Sequence, residues 1–181
     1  MDDIKLLEAI RRLDQDAIVI VFDRFAPILY KYAMRLCGNS TEADDIVGDV
    51  FLELLKHLKK GEGPRENLRS YLYQIAYHKI VDHARHSKHL TGLDGFKFLT
   101  SGDPVISQNE NKDELGTLGG IIQNKLSQDQ RHVIVLRFLE DLSIKETAAI
   151  LGKSENNIKV IQNRAITRIR KILDQQNEEA L

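Results

Sequence analysis

Residues 142–170 read LSIKETAAILGKSENNIKVIQNRAITRIR, two short helices joined by a tight turn and followed by a basic tail. Ser143 followed by Glu146 is a capping box, in which the hydroxyl accepts from an orphan amide and the carboxylate reaches back to the cap. A helix therefore starts there. Ile144, Ala148 and Leu151 recur at helical spacing, Gly152 tolerates the left-handed backbone that ends a helix, and Ser154 caps the next one. At about 100° per residue, Ile158, Ile161, Ala165 and Ile169 share one arc of the second helix, which is expected to face a core. The opposite arc holds Asn156, Lys159, Val160, Asn163 and Thr167, flanked by Arg164 and Lys171. Amides, a small apolar group and cations together suit base edges, thymine methyls and phosphates. The expectation is a helix-turn-helix whose second helix enters a major groove.

Charge supports that expectation. Six basic residues stand between Lys153 and Lys171 against one acid, Glu155, in a chain whose net charge is only −1. Two capped helices around a glycine turn also occur in proteins that bind no DNA, but the cations here cluster on the groove-facing arc.

With 181 residues the chain accommodates two small domains better than one large one. No apolar run approaches the roughly 18 residues that would span a bilayer, and Asp2, Asp3 and Glu8 interrupt any signal-like stretch at the start. A water-soluble chain working in the cytoplasm, with no membrane insertion of its own, is expected. The single cysteine, Cys37, excludes an internal disulfide and reads as a packing residue before Gly38. Residues 91–114 carry five acids against two bases, together with Gly, Ser, Asn and Pro104 in no sustained period, and read as an acidic flexible linker. The organisation expected is all-α: a first module over 1–90, the linker over 91–114 and a second module over 115–181.

In the first module Phe22, Phe25, Ala26, Leu29, Ala33 and Leu36 form a helical stripe ended by Gly38, with Pro27 expected to bend it or mark an early turn. Residues 39–41 cap a following helix. Its apolar arc is Val47, Val50, Phe51, Leu54, Leu55 and Leu58, and its other side shows Asp45, Asp49, Leu52, Glu53 and Lys56. A turn-rich loop, GEGPREN at 61–67, precedes renewed helical spacing over 68–85. Leu72, Ile75, Ala76 and Ile80 suit the core, while Tyr71, Gln74, His78, Asp82 and Arg85 share a polar arc. Rings interleaved with amides and cations suit single-stranded nucleic acid, although buried tyrosines with exposed tips produce the same pattern.

The order of these blocks is itself informative. EADDIVGDVFLELLKHL, then NLRSYLYQIAYHKIVDHAR, then LSQDQRHVIVLRFLEDLSIKETAAILGKSENNIKVIQNRAITRIRKIL resembles the bacterial sigma-70 family of transcription initiation factors, in its extracytoplasmic-function (ECF) class. Larger members carry a further domain between the two blocks, for which 91–114 is too short. The resemblance implies a sigma-2 helical bundle over 1–90 and a sigma-4 helix-turn-helix over 115–181. It implies that Asp45, Asp49, Leu52 and Glu53 dock on the clamp helices of core RNA polymerase. Asn67, Tyr71, Tyr73, Gln74, His78, Asp82 and Arg85 would open the minus-10 promoter element and hold an extruded base. Asn156, Lys159, Val160, Asn163, Arg164, Thr167 and Arg168 would hold the minus-35 duplex, with Arg164 and Arg168 mainly on phosphates, and the same domain would touch the polymerase flap. The linker would thread toward the active centre. An anti-sigma factor is a further partner known in this class. The sequence departs from the usual pattern at three places: Gly48 where Gln is frequent, Tyr71 where Trp is common and His78 where Asn is common.

Two other function classes are weighed against this one. A one-component regulator would use 1–90 for a ligand or a dimer partner and the helix-turn-helix for an operator. An enzyme would need Asp44, Asp45, Cys37 or the histidines at 78, 83, 86 and 89, but no phosphate loop, nucleophile elbow or cysteine pair accompanies them. No cofactor, metal or intrinsic catalysis is expected, and near-neutral charge is expected to leave the chain with little affinity for DNA on its own.

Overall fold

The computed structural model describes residues 3–91 and 112–179, with the side chains of 3–86 and 118–178. Every described element is helical, and the elements group into two compact units.

The N-terminal unit is built on α1 (Asp3–Arg11), α2 (Gln15–Cys37), α3 (Ser40–Lys59) and α4 (Leu68–Thr91). Short polar side chains set where these helices begin. Asp14 accepts from the Ala17 amide at 2.9 Å to start α2, Asn39 accepts from the Glu42 amide at 3.0 Å to start α3, and Asn67 accepts from the Ser70 amide at 2.9 Å to start α4. The core joins Leu6, Leu7 and Ile10 of α1 to Val21, Phe25, Leu29 and Leu36 of α2, then to Ile46, Val50, Phe51, Leu54 and Leu58 of α3 and Leu72, Ala76 and Ile80 of α4. At its centre Tyr32 and Tyr73, both fully buried, meet edge to face with centroids 5.1 Å apart. Two expectations change here: the early turn at Pro27 and the buried place of Phe22. Helix α2 runs through Pro27 without ending, because the proline sits on the exposed side, where water can satisfy the carbonyl left without a donor. Phe22 is 47% exposed, covering Phe51 with its ring at 4.7 Å instead of entering the core.

The C-terminal unit contains α5 (Lys112–Lys125), α6 (Gln128–Ile134), α7 (Ile144–Leu151) and α8 (Glu155–Glu179). Two capping boxes punctuate it. Ser127 and Gln130 exchange bonds at the start of α6, and Ser143 and Glu146 do so at the start of α7, as the sequence requires. Gly152 then ends α7 at φ +62°, a left-handed backbone that a side chain would strain, and Ser154 accepts from the Asn157 amide at 3.2 Å to begin α8. Ile158 and Ala165 are buried as expected, whereas Ile161 and Ile169 are only half-buried. Helix α6 continues as a π-helical turn over Val135–Leu139, closed by the Glu140 amide donating to the Val135 carbonyl at 3.0 Å. Arg137 in this turn donates to the Leu142 carbonyl and, from Nε, to the Gln162 side chain of α8 at 3.1 Å. The linker expected over 91–114 lies outside the described residues except at its ends, where Thr91 closes α4 and 112–114 open α5.

Gly48 lies on the exposed side of α3, and a methyl group added there meets nothing within 4 Å. Gly48→Ala is therefore expected to raise stability by about 1 kcal/mol, read as a higher midpoint in thermal unfolding. His132 is buried in α6, where desolvation first and Arg131 second lower its pKa from 6.5 to about 3, against a smaller upward pull from Asp129. The unfolded chain binds this proton first, so the stability contributed by neutral His132 is complete above pH 6.5 and lost progressively toward pH 3, by about 1.4 kcal/mol per unit. Between pH 6 and 4 the unfolding midpoint should fall less steeply in His132→Leu than in the parent.

Candidate functional site

Three solvent-facing stripes are set by the rotation of the helices that carry them. On α8, Asn156, Lys159, Val160, Asn163, Arg164, Thr167 and Arg168 are all exposed, on the side away from Ile158 and Ala165. Val160 keeps 45% of its surface in solvent although it is apolar, which suits a methyl-recognising contact. Arg137 holds this helix through Gln162, so the stripe is presented from a braced element. Lys153 is turned away from it and pairs with Asp129 at 3.0 Å.

On α3, Asp45, Asp49 and Leu52 follow one another at spacings of four and three, which keeps them on one face. Asp45 is exposed and Leu52 is 56% exposed, whereas Asp49 is partly covered. Glu53 stands apart from this group. It faces α4, with Oε2 at 3.7 Å from the Lys79 ammonium and Oε1 at 3.3 Å from Nε2 of His57. Asp49 and Glu42 flank His83 of α4 at 4.0 and 3.7 Å. Glu42, Asp49 and Glu53 are thus engaged across the α3/α4 seam, and Asp45 is not.

The third stripe runs along α4. Gln74, His78, Asp82 and Arg85 recur at helical spacing and are exposed, with Arg85 at 3.7 Å from Asp82 and the ring of His78 beside that of Tyr77. Tyr71 stands half-buried at the start of this face and meets His57. Tyr73 does not belong to it. The expectation that Tyr73 contacts DNA is corrected by its complete burial against Tyr32, with the Arg69 guanidinium over its ring at 5.7 Å. A residue two positions from Tyr71 falls about 200° around the helix, so the two rings necessarily face opposite ways. Asn67 is exposed, but its side-chain oxygen is committed to capping α4. The loop before it is drawn in tightly: Pro64 is buried, and a Cβ on Gly63 would come within 2.6 Å of the Leu58 side chain.

His57, Lys79 and Arg137 are the residues that sequence reasoning missed. The Glu53/His57 pair has the four-residue spacing of a helical ion pair, a signal present in the sequence. Lys79 and Arg137 depend on contacts between helices. The histidines at 78, 83 and 86 do not converge, and among the described residues no group of three metal-ligating side chains is found. His89 lies outside the described side chains.

Comparison with known proteins places these stripes in a family. Sigma-70 region 2 matches residues 21–89, covering most of α2, all of α3 and nearly all of α4, and sigma-70 region 4 matches residues 124–171, from the end of α5 into α8. The chain belongs to the sigma-70 family. Its curated relatives place it in the ECF class. The ECF RNA polymerase sigma factor BldN of Streptomyces coelicolor is 25% identical over 179 residues, covering 95% of this chain and 67% of that one. SigX of Bacillus subtilis is 26% identical over 177 residues, covering 92% and 89%. Two solved structures share the fold. One is the sigma factor RpoE of Bartonella quintana in complex with the anti-sigma factor NepR, with a TM-score of 0.70 and 22% identity over 84% of this chain and 94% of that one. The other is CnrH in complex with the cytosolic domain of CnrY, with a TM-score of 0.63 and 24% identity over 94% and 96%. As an alternative sigma factor, the protein acts in transcription initiation, and the one-component regulator reading is not favoured. No described helix is long and apolar enough to cross a membrane.

The double position of Asn67, cap of α4 and candidate DNA contact, is separable by substitution. Asn67→Ala should cost about 1 kcal/mol of stability through the lost cap, whereas Asn67→Ser should retain most of it. Thermal unfolding of the two variants reads the cap, and promoter opening by holoenzyme made with Asn67→Ser reads the contact.

Proposed function

We propose that this sigma factor grips its promoter at two points while holding core RNA polymerase by a third. Asp45, Asp49 and Leu52, with Glu53 at their edge, form the docking stripe for the polymerase clamp helices: carboxylates steer a basic partner and the exposed leucine supplies apolar contact. The α4 face, with Asn67, Tyr71, Gln74, His78, Asp82 and Arg85, meets the minus-10 element as it opens. Extruding a base costs a few kcal/mol of unstacking, offset by stacking and by hydrogen bonds to the freed edge. His78 offers that edge an imidazole where an amide is usual, a different set of donors and acceptors. The α8 face reads the minus-35 duplex, with Asn156, Lys159, Val160 and Asn163 toward base edges and Arg164, Thr167 and Arg168 toward the backbone.

The observation that supports this reading best is the division of labour between two packed helices. Helices α3 and α4 turn different chemistries to solvent, acid with leucine on one and aromatic, amide and basic groups on the other. A polymerase and a DNA strand can therefore be held by adjacent elements without competing for one surface. The first module corresponds to 1–90, the second to 115–181, and the acidic segment between them is read as the strand that enters the polymerase. The protein works in the cytoplasm and forms no bonds itself; polymerase supplies the chemistry. The complexes of RpoE with the anti-sigma factor NepR and of CnrH with the cytosolic domain of CnrY support a comparable protein partner here.

Binding of core polymerase and use of a promoter selected from a random library test the assignment together. Asp49→Ala with Leu52→Ala should weaken core binding about tenfold or more, whereas Lys159→Ala should lower minus-35-dependent initiation and leave core binding unchanged. The sigma reading fails if the purified chain binds a palindromic operator tightly and never associates with core.

A further inference from the structure

We propose that His57 is a positioning residue for Tyr71, fixing its ring at the mouth of the minus-10 face through a hydrogen bond between the imidazole and the phenol, with the Glu53 carboxylate beside the other ring nitrogen. The inference rests on the reading of the Tyr71 face as the promoter-opening surface and adds to it a residue from the neighbouring helix.

The geometry is specific. Glu53 and His57 lie one helical turn apart on α3, and Tyr71 arrives from the first turn of α4, whose start is set by the Asn67 cap. The Tyr71 hydroxyl is 2.5 Å from Nδ1 of His57, and the two rings meet edge to face at 71° with centroids 6.1 Å apart. On the far side of the imidazole, Nε2 is 3.3 Å from Oε1 of Glu53, and the other oxygen of that carboxylate lies 3.7 Å from the Lys79 ammonium. The negative carboxylate beside Nε2 favours the tautomer with the proton on that nitrogen. Nδ1 then carries the lone pair and accepts a hydrogen bond from the Tyr71 hydroxyl. Burial, followed by the carboxylates of Glu53 and Glu62, pushes the Tyr71 pKa up, which keeps the phenol protonated and able to donate.

One chemical consequence follows for the promoter. The single O–H of Tyr71 is spent inside the protein, so Tyr71 meets DNA as a held ring and not as a hydrogen-bond donor. A ring fixed before DNA arrives loses little freedom when a base stacks on it. The arrangement also gives Glu53 a task different from that of Asp49. Asp49 serves the docking stripe, whereas Glu53, at the edge of that stripe, also stands beside the imidazole that supports Tyr71.

The test measures the rate of promoter opening by reconstituted holoenzyme, using 2-aminopurine in the minus-10 element, alongside core affinity. His57→Ala and Tyr71→Phe should each slow opening about fivefold, the effect of one neutral hydrogen bond. The double variant should be no slower than either single one, because both remove the same bond. His57→Asn places Oδ1 near the former Nδ1 and should restore opening to within about twofold of the parent, a rescue that a purely steric role would not produce. Core affinity should stay unchanged in all of these. The proposal is overturned if Tyr71→Ala slows opening while His57→Ala does not, if the two single effects multiply, or if Asn fails to rescue. Opening at the parent rate in Tyr71→Ala would overturn the promoter reading of Tyr71 itself, and the purpose of its bond to His57 with it.

Discussion

The burial of Tyr73 against Tyr32 fixes the rotation of α4, and most of what the N-terminal unit can do depends on that rotation. Two large rings locked edge to face at the centre of a small core leave little latitude in how the helix turns about its axis. Once Tyr73 points inward with Leu72, Ala76 and Ile80, Gln74, His78, Asp82 and Arg85 must point outward. The same rotation brings Lys79 and His83 over the acids of α3 and sets Tyr71 beside His57. A single aromatic contact thereby distributes the side chains of α4 among core, seam and solvent.

The seam also divides the acidic residues of α3 by function. Exposed ion pairs contribute little to stability, so the Glu42, Asp49 and Glu53 contacts with His83, His57 and Lys79 matter less for holding the fold than for deciding which carboxylates look outward. Asp45 is exposed. Asp49 is shared between its helix neighbour and the surface, and Glu53 is mostly turned inward. A linear motif of acids thus becomes a graded surface once a second helix is packed along one side of it.

Much of this was legible in the sequence because it depends on local rules. The Ser143–Glu146 capping box, the left-handed Gly152 and the α8 stripe each follow from residues within a turn or two of one another, and each is present where the pattern puts it. The partition of α4 was less accessible. Tyr71 and Tyr73 have the same composition signal, and only the presence of Tyr32 on another helix decides which ring is buried. Lys79 and Arg137 acquire their roles through partners 26 and 25 residues distant, Glu53 and Gln162, which no local spacing reveals. The early turn offered for Pro27 does not occur, since a residue that usually ends helices is tolerated on a solvated face.

The π-helical turn over Val135–Leu139 sets an angular phase. A π turn holds one residue more than the α-helix it interrupts, and in an α-helix each residue advances the chain by about 100°. Everything from Glu140 onward, including the turn at Gly152 and the exposed face of α8, therefore leaves α6 with an offset that an unbroken α-helix would not have. Deleting one residue within 135–139 would let the segment revert to regular winding and swing that offset out of register. The chain could then keep every side chain of its reading face and still present them at the wrong angle.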